Sequence, residues 1–107
     1  MKVVSKNSAQ DIEIGDPDRF IIESIGEAAL YEQLAEECVE LAHASLKKAR
    51  ILRGENPTPV TSRLADGNID EEVADVMLVI DILKLNEKPG LRWNKLDRWI
   101  YRILNKD

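Results

Sequence analysis

The sequence holds one cysteine, one histidine and five aromatic side chains in 107 residues, and each scarcity narrows what the chain can be. A lone Cys38 excludes an intramolecular disulfide framework and a cysteine-held zinc cluster; it suits a reducing compartment and is expected to pack in the core. One histidine, His43, cannot furnish the two Glu-x-x-His pairs that a di-iron carboxylate bundle draws on. No dense block of Lys and Arg offsets the formal charge of −5, so the phosphate-dominated binding of long nucleic acid is not expected, whereas a small anion chelated to a cation is compatible with that charge. No stretch approaches the roughly 20 apolar residues of a membrane span. Residues 1–15 alternate polar and apolar side chains and include Asp11 and Glu13, so they lack the apolar centre of a signal peptide. The expectation is a soluble, cytoplasmic protein without membrane contact.

What is present favours helices. Apolar residues make up 44% and charged residues 33%, a globular balance, and with so few aromatics the interior falls to Leu, Ile, Val and Ala. A chain of this length suits one domain that buries roughly 65% of its unfolded surface, a thin core. Residues 1–15 read as an arm of undetermined conformation, and residues 16–107 as the helical domain. Asp16-Pro17 reads as an N-cap followed by proline at the first helical position, and Gly26 as a break. Residues 28–52 then run without Gly or Pro at helical spacing, giving the longest helix. Gly54 and the prolines at 57 and 59 stop it, so residues 54–68 are expected to be a connection ending in the Asp66-Gly67-Asn68 turn. A second strong helix is expected over 71–85 with Asn68 or Asp70 as cap, and a last one from Leu91 to about Asn105, after Pro89-Gly90. The fold expected is all-α, a small antiparallel bundle of about four helices.

Two segments carry the chemistry. Residues 32–40 read Glu-Gln-Leu-Ala-Glu-Glu-Cys-Val-Glu. With Glu32 at zero on a helical wheel, Glu36 lies at ~40°, Glu40 at ~80° and Glu37 at ~140°. The apolar stripe of Leu30, Leu34, Cys38 and Leu41 spans ~160° to ~240°, so Glu37 borders the core. None of these glutamates has a basic residue four positions later, and Glu32 with Glu36, and Glu36 with Glu40, are like-charge pairs costing about 0.2–0.5 kcal/mol each. A solvated acidic face accounts for Glu32 and Glu36 but poorly for Glu37.

Residues 71–83 read Glu-Glu-Val-Ala-Asp-Val-Met-Leu-Val-Ile-Asp-Ile-Leu, apolar on most of the helix circumference and expected to be buried. Glu72 and Asp75 both fall within that apolar face. The helix dipole could explain an acid in the first turn, but Asp75 is too far in for that and is costly to bury alone; a buried hydrogen bond or an ion pair with a cation of the last helix is its plainest alternative. If Glu37, Glu40, Glu72 and Asp75 converge, each pair at about 6 Å repels by roughly 3 kcal/mol at an effective dielectric of 20. Such a cluster calls for a cation. Ligands that are all oxygen, with no His or Cys, select hard ions, and Mg²⁺ or Mn²⁺ bound together with phosphate is the usual occupant.

Glu37-x-x-Glu40 followed across a loop by Glu72-x-x-Asp75 resembles the MazG-like, all-α nucleoside triphosphate pyrophosphohydrolase superfamily, whose hallmark is ExxE … ExxD on two antiparallel helices. The runs Glu36-Glu37-Cys38-Val39-Glu40-Leu41 and Glu71-Glu72-Val73-Ala74-Asp75-Val76-Met77 look like the family's sequence around both pairs, and Lys95-Leu96-Asp97-Arg98 looks like its terminal lysine-containing motif. The resemblance covers residues 28 to 104. The 31 residues between Glu40 and Glu72 exceed the usual spacing and imply a larger loop, and Asp97 replaces a different polar residue near the substrate.

The resemblance implies that Glu37, Glu40, Glu72 and Asp75 ligate Mg²⁺, with Mn²⁺ as an alternative. It implies that water attacks the α-phosphorus of a nucleoside triphosphate to give the monophosphate and pyrophosphate. Glu36 or Glu37 is the candidate for orienting that water. On the last helix Arg92, Lys95, Arg98 and Arg102 share a ~120° stripe beside Trp93, Leu96, Ile100 and Ile103, and Lys95 and Arg98 are the candidates for gripping phosphates. Trp93 and Trp99 fit core or interface better than base stacking. The helix over 71–85 is too apolar for one thin domain to cover easily, and the resemblance implies dimers or tetramers, so a homodimer or homotetramer is expected. Two rivals stand: an enzyme of the same superfamily acting on phosphoribosyl-ATP or dUTP, and a non-catalytic helical oligomerisation or regulatory module.

Overall fold

The computed structural model describes residues 2–4, 11–55 and 61–106. Lys2–Val4 (β1) and Asp11–Glu13 (β2) pair antiparallel, Lys2 opposite Glu13, as a two-stranded ribbon. This gives part of the arm over residues 1–15 a definite conformation. The other regular elements among the described residues are four helices: α1 (Pro17–Ile25), α2 (Glu27–Arg53), α3 (Ser62–Ile82) and α4 (Leu91–Leu104).

Local chemistry sets the ends of the first two helices. The Asp16 side chain accepts from the Arg19 backbone N–H at 3.2 Å and Pro17 opens α1, which fills the exposed first turn of donors. Gly26, at φ 98°, separates α1 from α2 in a conformation that a side chain would strain. Gly54 takes the left-handed conformation at the end of α2, and its N–H reaches back to Ile51. The two prolines after it lie outside the described residues.

The connection expected over residues 54–68 is shorter than its sequence suggests, because α3 begins at Ser62. The Thr61 hydroxyl accepts from the Leu64 N–H at 3.2 Å. One turn later Ala65 is buried, and Lys48 of α2 binds Asp66 at 2.7 Å and Ser62 at 2.5 Å. Asp-Gly-Asn has a local preference for a turn worth about 1 kcal/mol, which these contacts outweigh, and Gly67 becomes a helix-interior residue.

Lys48 meeting Asp66, while Glu37 and Glu40 meet Glu72 and Asp75, means that α2 and α3 run antiparallel. Their shared seam holds the buried residues Leu30, Ala44, Ala65, Val76, Val79 and Ile82, and α1 lies against both helices. The opposite flanks are open: Val73, Met77 and Leu78 of α3 are exposed, so that helix is buried on one side rather than around most of its circumference. Cys38, expected in the core, is exposed because it sits at the far edge of the α2 stripe. The last helix packs on no other element among the described residues. The radius of gyration is accordingly 19.4 Å, against about 13 Å for a compact chain of this length. No helix among the described residues is long and apolar enough to cross a membrane.

A Cβ at Gly67 meets nothing within 4 Å. Gly67→Ala is therefore expected to stabilise the fold by about 0.5–1 kcal/mol, and Thr61→Ala to destabilise it by about 1 kcal/mol, both read by urea unfolding. No effect from either would place the start of α3 after residue 68.

Candidate metal centre

Each half of the site is built by helical periodicity. Glu37 and Glu40 are three residues apart on α2, so they share a face, and Glu72 and Asp75 do the same on α3. Antiparallel packing turns the two faces toward each other, and one carboxylate oxygen from each of the four residues lies within 4.8 Å of all the others. All four sequence-predicted ligands are thus brought together by a single helix–helix contact.

Their environments differ. Glu37 and Glu72 are half-buried, each with its Oε2 enclosed and without a hydrogen-bond partner, whereas Glu40 and Asp75 face solvent. Asp75, expected inside the apolar face, is exposed in the single chain. Gln33 donates from Nε2 to Glu37 Oε1 at 2.7 Å, one turn earlier on the same helix. That bond fixes the Glu37 rotamer and leaves its other oxygen aimed into the cluster. Gln33 was legible as an i, i+4 partner of Glu37, and Lys48 as the one cation on the core stripe of α2.

Burial raises the pKa of Glu72 above the ordinary carboxylate range, and a hydrogen bond to Glu40 together with the charges of Glu40, Asp75 and Glu37 raises it further. Among the described residues no lysine or arginine pairs with these acids, and Lys48, beside the same seam, is engaged by Asp66 and Ser62. The donor set fits a hard cation. Four carboxylate oxygens within 4.8 Å of one another, with an enclosed oxygen free of any hydrogen bond on Glu37 and on Glu72, are chemically suited to such an ion.

The other predicted site residues fall elsewhere. Glu36 is exposed and stands outside the four, in a shallow groove with Ala35, Val39 and Glu40. Lys95 and Arg98 are on α4, which no contact joins to the acids. A concavity of about 410 Å³ runs along α4 between Arg92, Lys95, Leu96, Arg98, Trp99 and Arg102. It is the flank of a single helix, closed by nothing from another element, so the carboxylate cluster is the better centre for chemistry. His43 is exposed. Comparison with family models, with curated proteins and with solved structures returned no match.

A carboxylate whose pKa is raised by folding stabilises the fold below its unfolded pKa, and that contribution is lost as pH rises through the folded value. Without metal, the melting temperature is therefore expected to fall as pH rises from the ordinary glutamate value of about 4.3 toward neutrality. Millimolar Mg²⁺ should restore it near neutral pH and have little effect in acid. Glu72→Gln should flatten the metal-free profile. A wild-type profile that is flat with and without Mg²⁺ would refute the arrangement.

Proposed function

We propose that the chain is a Mg²⁺-dependent nucleoside triphosphate pyrophosphohydrolase, converting an NTP or dNTP to the monophosphate and pyrophosphate. The observation that carries this reading is the convergence of Glu37, Glu40, Glu72 and Asp75, with two of their oxygens enclosed and unpartnered. A pair of acids on each of two antiparallel helices is what the MazG-like resemblance implies. Acids this close, unrelieved by any cation among the described residues, suit a divalent ion better than a structural role.

Glu37, Glu40, Glu72 and Asp75 would hold Mg²⁺ or Mn²⁺. When bound, the ion supplies neutralisation of phosphate charge and acidification of a water molecule. The protein's own part is position. Gln33 holds Glu37 in one rotamer, and the Lys48 clamp with the buried seam holds α2 against α3, so the two pairs of acids keep their spacing. Glu36 or Glu37 orients the attacking water and accepts its proton as the oxygen adds to the α-phosphorus and the bond to the bridging oxygen breaks, leaving pyrophosphate. Lys95 and Arg98 grip the phosphates as charge-assisted donors. The active species is a homo-oligomer.

A panel of standard, deoxy and modified nucleoside triphosphates, with phosphoribosyl-ATP and dUTP included, tests this by separate assays for pyrophosphate and orthophosphate. Pyrophosphate release is expected, dependent on Mg²⁺ and reduced by at least about 100-fold in Glu40→Ala and Asp75→Asn. Orthophosphate release in its place would exclude attack at the α-phosphorus. Absence of turnover, with variants that fold as well as wild type and no measurable Mg²⁺ binding, would leave a helical oligomerisation module.

A further inference from the structure

Charge is unevenly divided along the chain. Residues 84–107 hold seven Lys and Arg against three Asp and Glu, whereas residues 1–83 hold eight against seventeen. The basic part is built around α4, which packs on no other element among the described residues. With Trp93 at zero on a helical wheel, Trp99, Ile103, Leu96, Ile100 and Leu104 follow from ~240° to ~20°, so the six share one arc of about 140°. All six are exposed, Ile103 by 71% and Trp99 by 65%. Arg102 and Lys95 stand at ~180° and ~200°, beside Trp99 at the border of the arc, and Arg98 at ~140° lies opposite its centre. Arg92 interrupts the arc only at the first turn, where it pairs with Glu87. A 14-residue helix is marginal in water unless its apolar face is covered. The whole chain exposes 9109 Å², whereas a folded monomer of 12.1 kDa exposes roughly 6,000 Å².

We propose that α4 lies flat on an anionic phospholipid surface, with its apolar arc among the acyl chains and Arg102 and Lys95 at the headgroup phosphates. A broad apolar face, a basic border and indoles on that face are the pattern of a helix that rests in a bilayer interface. Trp suits that depth because its ring is apolar while its N–H reaches water, and the stems of Arg and Lys lie beside the acyl chains while their charges reach the phosphates. Six apolar side chains on one face have nothing to meet on a nucleic-acid backbone, so the bilayer is the anionic surface that satisfies both halves of the helix. Repulsion of the acidic residues 1–83 is screened beyond about 8 Å at physiological salt, and α4 touches no other element that would hold that body against the lipid. The expectation of no membrane contact rested on the lack of a spanning segment. No helix among the described residues is long and apolar enough to cross a bilayer, but one that lies in the interface crosses nothing. Arg98 keeps to the water side, and Lys95 does the same chemistry on a lipid or a nucleotide phosphate, so the test leaves both unchanged. The proposal does not rest on the hydrolase reading.

The test uses the full chain without nucleotide or metal, mixed with vesicles of phosphatidylcholine alone or of equal parts phosphatidylcholine and phosphatidylglycerol. Both tryptophans of the chain are in α4, so their fluorescence reports on that helix alone. Flotation with the anionic vesicles is expected, with a blue shift of the tryptophan emission, and both should weaken as salt is added. Ile100→Asp with Ile103→Asp should abolish flotation while circular dichroism shows α2 and α3 still helical, since α4 packs on neither. Arg102→Glu should weaken binding to the anionic vesicles about tenfold or more. Absence of flotation, equal flotation with the neutral vesicles, or flotation that survives the double aspartate variant would overturn the proposal. Emission already blue-shifted without vesicles would also overturn it. A shift independent of protein concentration would mean that α4 is covered by its own chain, and one that grows with concentration that a second copy covers it.

Discussion

The seam between α2 and α3 is the contact on which the rest depends. It is small: Leu30, Ala44, Ala65, Val76, Val79 and Ile82 are the buried apolar residues, and none is aromatic. At one end Lys48 ties α2 to Asp66 and Ser62. Further along, the same packing forces four carboxylates within 4.8 Å of one another. Attraction at the clamp and in the core therefore has to outweigh repulsion at the acids, and Glu72, with a pKa raised by burial and by its three acidic neighbours, records that tension. Whatever binds the acids also reinforces the seam, so ligand binding and stability are coupled through one interface.

Periodicity made the acids legible. Spacing of three residues on each helix placed each pair on one face, and the wheel set Glu37 at the core border, where its Oε2 is enclosed. The same wheel placed Asp75 in an apolar face and Cys38 in a core stripe, and both are exposed in the single chain. A wheel records angular position only. How much of a helix is covered depends on how many helices surround it, and α3 has α2 and α1 on one side and nothing described on the other. Local propensity failed in the opposite sense at Asp66-Gly67-Asn68. Three turn-forming residues in a row read as a break, but Thr61 caps the helix upstream and Ala65 and Lys48 hold its first turns in place. These are contacts across the fold that no window of sequence contains.

The amphipathic stripe of α4 was equally plain in the sequence, but no other element among the described residues covers it. An isolated chain leaves Lys95 and Arg98 on a helix with no contact to the acids, so a grip on phosphate requires either a second copy or a movement of α4. Surface area argues in the same direction as charge. The chain is both too extended and too exposed for its mass, and its basic helix is the part that stands away from an otherwise acidic body.

Size bears on what can relieve the four acids. A lysine ammonium or an arginine guanidinium inserted among them would bring one positive charge and would leave most of the repulsion in place. A divalent ion would bring two charges in one compact sphere suited to oxygen ligands such as Glu37, Glu40, Glu72 and Asp75. Lys48 illustrates the alternative: where this seam uses a side-chain cation, the partners are one carboxylate and one hydroxyl, at the far end from the acids. Four carboxylates with two enclosed, unpartnered oxygens suit a divalent cation better than an ion pair with one side-chain cation.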